Sequence, residues 1–408
     1  MDLINKIPPL LTDNELINAL SKCPPFDSSI TLSKSERLIK LLDLYDLFIP
    51  TQMSVEIYNS LYFALIRSFN RKRKLYDKNQ MIKNRKIING GFISSGVNGG
   101  DCSLIVGSSG IGKSQSIARA IEIITNQSII EIDNPYCSII PIMVVEASPN
   151  ISVKGFFFDI LRTIDNTLGT TYYQANNRST VNTDSLLGAV ANALLLHCGV
   201  LVVDEIDRLV DKKNSITFVN YITELINLCG ISVIFCGVPK ALEFFSSTEY
   251  LCRRSMGNSY KPMEYEEEYY YFCKQLFHYQ YTRVKTELDS ELLRTFYKYT
   301  KGVTAPTIQL FVNVQQWAIN NDYEKVDTFS VNKAFNEKMS IILPYISIDK
   351  RVLPNPIINE DSISILKEKI NVQSDNNIFS TLSNKSNKNI DKAIDILQQE
   401  MLVEIIKI

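Results

Sequence analysis

The sequence predicts an α/β protein: a doubly wound parallel sheet around a phosphate-binding loop, with a helical extension before it and an all-helical unit after it. Three observations predict this. Residues 102–106, CSLIV, form an apolar run that passes directly into GSSGIGKS at 107–114 and then into a helical pattern. A second apolar run, GVLVV at 199–203, ends in Asp204 and Glu205. Between and after these runs, strand-length and helix-length segments alternate, as in a parallel sheet covered on both faces, and strand runs stop beyond residue 264.

Taken in order, residues 1–87 carry Pro-Pro at 8–9 and 24–25 and helical patterns at 33–47 and 55–73. They read as a helical N-terminal arm, a candidate partner-binding region. A glycine-rich lead, GGFISSGVNGGD at 90–101, enters the nucleotide-binding core, 88–262. Its expected strands are 102–106, 140–147, 199–204 and 231–236, with a fifth near 259–263; its expected helices are 115–125, 153–168, 183–197 and 215–229. In sequence, the 140–147 strand separates the phosphate-loop strand from the acidic one, which fits the ATPase branch with a strand inserted between the two. Residues 263–349 show helical patterns at 265–282, 288–300, 305–320 and 330–342 and form the expected lid. Residues 350–389 are rich in Pro, Asn, Ser and Asp and read as a flexible linker. An amphipathic helix at 390–408 closes the chain, either packed on the body or docked on a partner.

Composition sets limits. The 408 residues carry a net charge of −1 and an ordinary apolar share, as expected of a soluble chain. No apolar run reaches the ~18 residues needed to cross a bilayer. The N-terminus lacks a basic region followed by an apolar core, so a cytoplasmic location is expected. The eight cysteines form no C-x-x-C pair and the two histidines stand far apart, which leaves little for zinc or histidine chemistry. Charge is uneven: residues 67–86 hold nine Lys/Arg against Asp77 alone. Such a block marks an interaction surface or, more often, a solvated helix face.

The chemistry follows from the two motifs. Gly107, Gly110 and Gly112 let the backbone of Gly107, Ser108, Ser109, Gly110, Ile111 and Gly112 wrap a phosphate chain with its N–H groups inward. Lys113 places a cation at the β and γ phosphates, and Ser114 offers a hydroxyl to Mg²⁺. The helix from Gln115 onward presents its positive end to the anion. Asp204 would hold Mg²⁺ through water, and Glu205 would polarise the attacking water. A glycine-rich turn and an acidic strand end each occur by chance; together, in this order, they indicate ATP and Mg²⁺.

These pieces resemble the TnsC/TniB family of AAA+ ATPases, regulators of DNA transposition in Tn-type transposons, and are most like TnsC. The resemblance covers roughly residues 1–345. It is carried by IPPLL and NALSKCPPFD near the N-terminus, IRSFNRKRK, LIVGSSGIGKSQSIARAI, VVEASPNISVKGFFFDILRTIDNTLGTTY, VLVVDEIDRL, ISVIFCGVPKALEFF, LCRRSMG and YTKGVTAPTIQLFVNVQ. It implies an AAA+ core with a helical lid and head-to-tail self-association into a ring or a filament on double-stranded DNA. It also implies TnsA/TnsB-like transposase subunits and a TnsD/TniQ-like target selector as partners. Of Arg253 and Arg254, one would reach a neighbouring subunit's γ-phosphate. Lys154 would contact DNA phosphate, and the basic cluster Arg71, Lys72, Arg73 and Lys74 is a further candidate.

Two departures from the family pattern matter. Val238 stands where many relatives have threonine, and residues 302–306, GVTAP, hold no arginine at the second-sensor position. A slow, regulatory ATPase is therefore expected. The alternatives are a replication-initiator or helicase-loader ATPase and a non-hydrolysing nucleotide-bound scaffold.

Overall fold

A computed structural model describes residues 3–26, 31–72, 100–126, 129–133, 136–147, 152–178, 181–209, 215–242 and 255–340. Six strands form one sheet: β1 (Cys102–Gly107), β2 (Ile130–Asp133), β3 (Tyr136–Glu146), β4 (Cys198–Asp204), β5 (Ser232–Gly237) and β6 (Ser255–Tyr260). Their order is β2-β3-β4-β5-β1-β6. All neighbours run parallel except β2 and β3, an antiparallel hairpin at one edge. The strand lying between β1 and β4 in space is β5, whereas the 140–147 segment lies beyond β4. The inserted strand is thus not the one that separates the motifs in sequence.

The central strands are buried on both faces, so they read as continuous apolar runs. Alternate residues go to opposite faces. Leu104, Leu201, Val203, Val233 and Phe235 join one core with α5 (Val153–Leu168), α7 (Thr183–His197) and α8 (Ser215–Cys229). Ile105, Val200, Val202 and Ile234 join the other with α3 (Gln52–Lys72) and α4 (Lys113–Thr125). A short helix, α6 (Tyr172–Asn176), follows α5. The fifth parallel strand, β6, starts four residues before the expected 259. Its sequence, SMGNSY, has few apolar residues because it is an edge strand with Gly257, Asn258 and Ser259 exposed.

The described residues up to Lys72 form no separate body. Helix α3 covers the second face of the sheet, where Ser68 Oγ donates to the Gly199 carbonyl at 2.6 Å. Gly199 permits this contact, since a Cβ there would stand 2.6 Å from Leu65 Cδ1. The IPPLL segment is tied to the same helix: Leu11 N donates to Tyr58 Oη at 3.0 Å, and Tyr62 Oη donates to the Pro8 carbonyl at 3.0 Å. Helix α1 (Asp13–Leu20) lies on α4, whose Arg119 donates to the Ala19 and Leu20 carbonyls at 2.8 and 3.0 Å. Those carbonyls end α1, where a cation complements the helix dipole.

Helix α2 (Lys34–Lys40), started by a Ser33/Glu36 capping box, belongs instead to the helical unit. That unit comprises α9 (Glu267–Phe277), α10 (Ser290–Thr300), α11 (Thr304–Asn320) and α12 (Thr328–Lys338). Leu41, Leu44, Leu47 and Ile49 share a core with Phe272, Phe277, Phe296 and Phe311. Arg37 grips Glu324 with two bonds of 2.6 and 2.7 Å and donates to the Tyr281 carbonyl at 2.9 Å. Among the described residues, no helix is long and apolar enough to cross a membrane. Every described cysteine is free, and all but Cys23 are buried.

Candidate nucleotide site

The phosphate loop turns where glycine permits it. Gly110 and Gly112 have φ of 80° and 94°, in the left-handed region that side chains disfavour. Helix α4 begins at Lys113, two residues earlier than the sequence suggested, so Lys113 and Ser114 both stand in its first turn. Lys113 Nζ donates to the Gly107 and Ser108 carbonyls at 2.7 and 3.0 Å. Burial lowers its pKa, and the charges of Cys236, Asp204 and Asp207 oppose that shift.

The acidic strand arrives from across the sheet. Ser114 Oγ donates to Asp204 Oδ2 at 2.8 Å, so the two expected Mg²⁺ ligands meet although 90 residues separate them. Among the described residues, no group of three or more His, Cys, Asp or Glu could hold a metal. A hydroxyl and one carboxylate beside a phosphate site suit Mg²⁺, whose remaining ligands are phosphate oxygens and water.

Glu205 leaves the strand with φ of 57°, a left-handed conformation for a non-glycine residue. Asp204 Oδ1 accepts its N–H at 2.8 Å, and its carbonyl accepts Arg208 N at 3.0 Å. The chain then enters a 3-10 turn, Ile206–Leu209, and the Glu205 carboxylate pairs with Arg208. Desolvation raises the Glu205 pKa; Arg208 opposes the rise, and Glu146 and Asp204 add to it. A carboxyl tuned upward at a strained turn suits a general base.

The helical unit touches the loop directly. Thr304 Oγ1 and Ala305 N both donate to the Gly110 carbonyl, at 2.8 and 3.0 Å. A cavity of about 370 Å³ lies between the loop and the acidic turn, lined by Ser109, Lys113, Ser114, Asp204, Glu205 and Val238 among others. A second, of about 430 Å³, lies beside Ile111 and Thr304 and is bordered by Gln52, Glu56, Tyr260 and Glu268. Gln52 N donates to Glu268 Oε1 and Gln52 Nε2 to Glu56 Oε1, both at 3.0 Å. Burial raises both carboxyl pKa values.

The structure corrects two expected DNA contacts. Lys72 is fully buried and donates to the Leu194 carbonyl at 3.0 Å and to the Cys198 carbonyl, so its ammonium serves the core. Arg71 is tied to Asp101 Oδ2 at 2.7 Å, the Gly230 carbonyl at 3.0 Å and Ser232 Oγ at 2.8 Å, which spends its guanidinium inside the fold. Lys154 sits in the first turn of α5, with Nζ donating to the Val181 carbonyl at 2.7 Å. Arg73, Lys74, Arg253 and Arg254 lie outside the described residues. Sequence reasoning missed Asp207, the third acid of DEID, whose Oδ1 accepts Val238 N at 3.0 Å. The signal was its place two residues after Glu205. It also missed the second cavity, whose walls come from four distant segments, 51–56, Ile111, 257–268 and 302–304.

A family model described as bacterial TniB protein matches residues 98–262. Among curated proteins, none matches this chain. Among solved structures, the chain is similar to Drosophila ORC bound to DNA, with 13% identity and a TM-score of 0.44 over 83% of this chain and 72% of that one. It is also similar to the Aeropyrum pernix ORC1 protein in complex with DNA, with 15% identity and a TM-score of 0.40 over 64% of each chain. The Thermotoga maritima RuvB Holliday junction branch migration motor is 15% identical, with a TM-score of 0.35 over 66% of this chain and 68% of that one. The sheet order, the phosphate loop on β1 and the helical unit resting on that loop are those of the AAA+ P-loop ATPase fold.

Proposed function

We propose that this chain is an ATP-dependent regulator of DNA transposition that assembles on double-stranded DNA and uses slow ATP hydrolysis to disassemble. The observation that carries the nucleotide reading is the 2.8 Å contact between Ser114 and Asp204 at the mouth of the phosphate loop, with Glu205 on the adjoining strained turn. The phosphates of ATP fit the cavity lined by Lys113, and the nucleoside fits the adjoining one beside Ile111. Mg²⁺, held by Ser114 and Asp204, would supply charge neutralisation at the β and γ phosphates. Lys113 binds those phosphates, and Glu205 takes the proton of the attacking water.

The TniB match supports transposition as the setting. Head-to-tail contact, into a ring or a filament, would bring Arg253 or Arg254 to a neighbour's γ-phosphate. Lys154 and the Arg73–Lys74 pair remain candidates for DNA phosphate. Transposase subunits of the TnsA/TnsB kind and a selector of the TnsD/TniQ kind are the partners this reading implies. Val238 and the arginine-free GVTAP segment favour slow turnover.

The test combines ATP turnover with co-sedimentation on DNA of mixed sequence. Lys113→Ala is expected to abolish ATP binding. Glu205→Gln is expected to keep binding and to slow hydrolysis by ~10²-fold or more, leaving assemblies that persist. DNA binding is expected to require ATP and to weaken steeply with salt. Equal binding with ADP and ATP would sink the assembly reading. Turnover by Glu205→Gln at the wild-type rate would sink the catalytic one. Tight ATP binding without turnover would favour the scaffold alternative, to which the valine at 238 also points.

A further inference from the structure

We propose that Asp207 is a positioning residue for ATP hydrolysis, fixing the Glu205 turn against the end of β5 in a chain whose sensor position holds valine. The inference rests on the ATPase reading above and names a residue that neither motif contains.

Neighbouring strands β4 and β5 deliver Glu205 and Val238 to the same cleft. Water must be held between the base and the γ-phosphorus, and an error of ~1 Å in such an arrangement costs ~10²-fold in rate. A threonine at 238 would offer a hydroxyl to help hold that geometry. The valine side chain has no hydrogen-bonding atom, so only its backbone can be fixed.

The backbone of Val238 is fixed at both polar atoms. Its N–H donates to Asp207 Oδ1 at 3.0 Å, and its carbonyl accepts Ala241 N at 2.8 Å. Asp207 is itself held in the 3-10 turn that follows Glu205, beside the fully buried Ile206. One carboxylate therefore spans from the turn that carries the base to the residue at the sensor position.

Residue 237 leaves room for this span only as glycine. A Cβ there would stand 2.9 Å from Asp207 Oδ1, 3.0 Å from Ile206 Cγ2 and 3.1 Å from Ala241 Cβ. Gly237 does not have positive φ, so its requirement is space. Asp207 also lines the phosphate cavity, and its charge favours the protonated form of Lys113.

The experiment measures kcat and ATP affinity for the full chain with DNA, as wild type and as Asp207→Ala, Asp207→Asn and Gly237→Ala. Asp207→Ala is expected to lower kcat by about ten- to a hundredfold while ATP affinity stays within about threefold. Asp207→Asn keeps an oxygen that accepts the Val238 N–H and is expected to stay within about threefold of wild-type kcat. Gly237→Ala pushes on the carboxylate from the other side and is expected to repeat the loss; it decides the matter if Asp207→Ala does not fold.

Three results overturn the proposal: wild-type kcat in Asp207→Ala or Gly237→Ala, an Asp207→Asn loss as deep as that of alanine, or a fall in ATP affinity that matches the fall in kcat. Failure of the underlying reading shows elsewhere. A wild type without turnover, or turnover that survives Lys113→Ala, removes the ATPase function itself and the inference with it.

Discussion

Lys72 shows what a single buried charge asks of its surroundings. Its ammonium is fully enclosed at the end of α3 and is held by the Leu194 and Cys198 carbonyls, which close α7. Burial lowers its pKa to about 8. In the unfolded chain the amine keeps its proton to higher pH, so between the two values the unfolded state binds more protons. The stability owed to Lys72 therefore rises with pH once pH passes about 8. Lys72→Met removes this dependence and leaves two buried carbonyls without their donor. Urea unfolding at pH 7 to 9.5 is expected to show the wild type gaining on Lys72→Met by up to ~1.4 kcal/mol per pH unit above that point. A constant gap across the range would mean that the amine stays protonated in the folded chain throughout it, so that burial has not lowered its pKa. The sequence concealed this role because a lysine in a basic run looks the same whether it faces solvent or core.

At the scale of elements, the segment 33–46 shows a spacing that the sequence carried and that was read at the wrong period. A single helix was expected over 33–47; the chain instead forms α2 and then a 3-10 helix, Leu41–Asp46. Leu41, Leu44 and Leu47 recur every three residues and are 1%, 0% and 3% exposed, whereas Leu42 and Tyr45 are 59% and 48% exposed. A period of three puts residues i and i+3 directly above one another, which seats all three leucines on the lid. The Arg37–Glu324 pair locks this seat, with the side chains only 7% and 14% exposed. The Arg37 hydrogen bond holds the Glu324 pKa below its usual value. The pair's contribution is thus present above the ordinary carboxylate pKa and is lost as pH falls through the lowered one. Arg37→Met is expected to cost about 3 kcal/mol at neutral pH and to speed hydrogen exchange in α2 and at 320–324. The deficit should narrow in acid; a deficit that does not change with pH would assign the loss to packing. The core helices 153–168 and 183–197 were legible to the residue because their N-caps, Ser152 and Asn182, and their apolar stripes agree, and the apolar pattern alone carried 215–229. The β2–β3 hairpin was not, since a four-residue edge strand carries too few residues for a pattern.

Across the whole molecule, the first residues matter more to the fold than their place in the sequence suggested. Leu3, Leu16 and Leu20 are at most 3% exposed and share a core with Ile117, Ala120 and Ile124 of α4. Deleting residues 1–30 is therefore expected to lower the melting temperature by several degrees, because burying each such leucine contributes about 2 kcal/mol. Thermal melts of the truncated chain test this. An unchanged melting temperature would restore the reading of a detachable arm. The glycine turn between β1 and α4 and the acidic end of β4 were legible because each joins an apolar strand run to residue types at fixed spacing. The second cavity was not, because Gln52, Ile111 and Glu268 meet only once α3, the phosphate loop and α9 are packed together. The helix that rests on the loop has one more consequence. Trp317, the single tryptophan of the chain, lies on α11, about 20 Å along the helix from the turn that holds the Gly110 carbonyl. Its indole Nε1 donates to Glu337 Oε1 at 3.1 Å, and its ring meets Tyr323 and Phe329 edge-on. The unmodified protein thus carries its own optical probe: a tilt of α11 against the helix that follows it would move an indole against two rings and a carboxylate, and its emission would register the motion without a label.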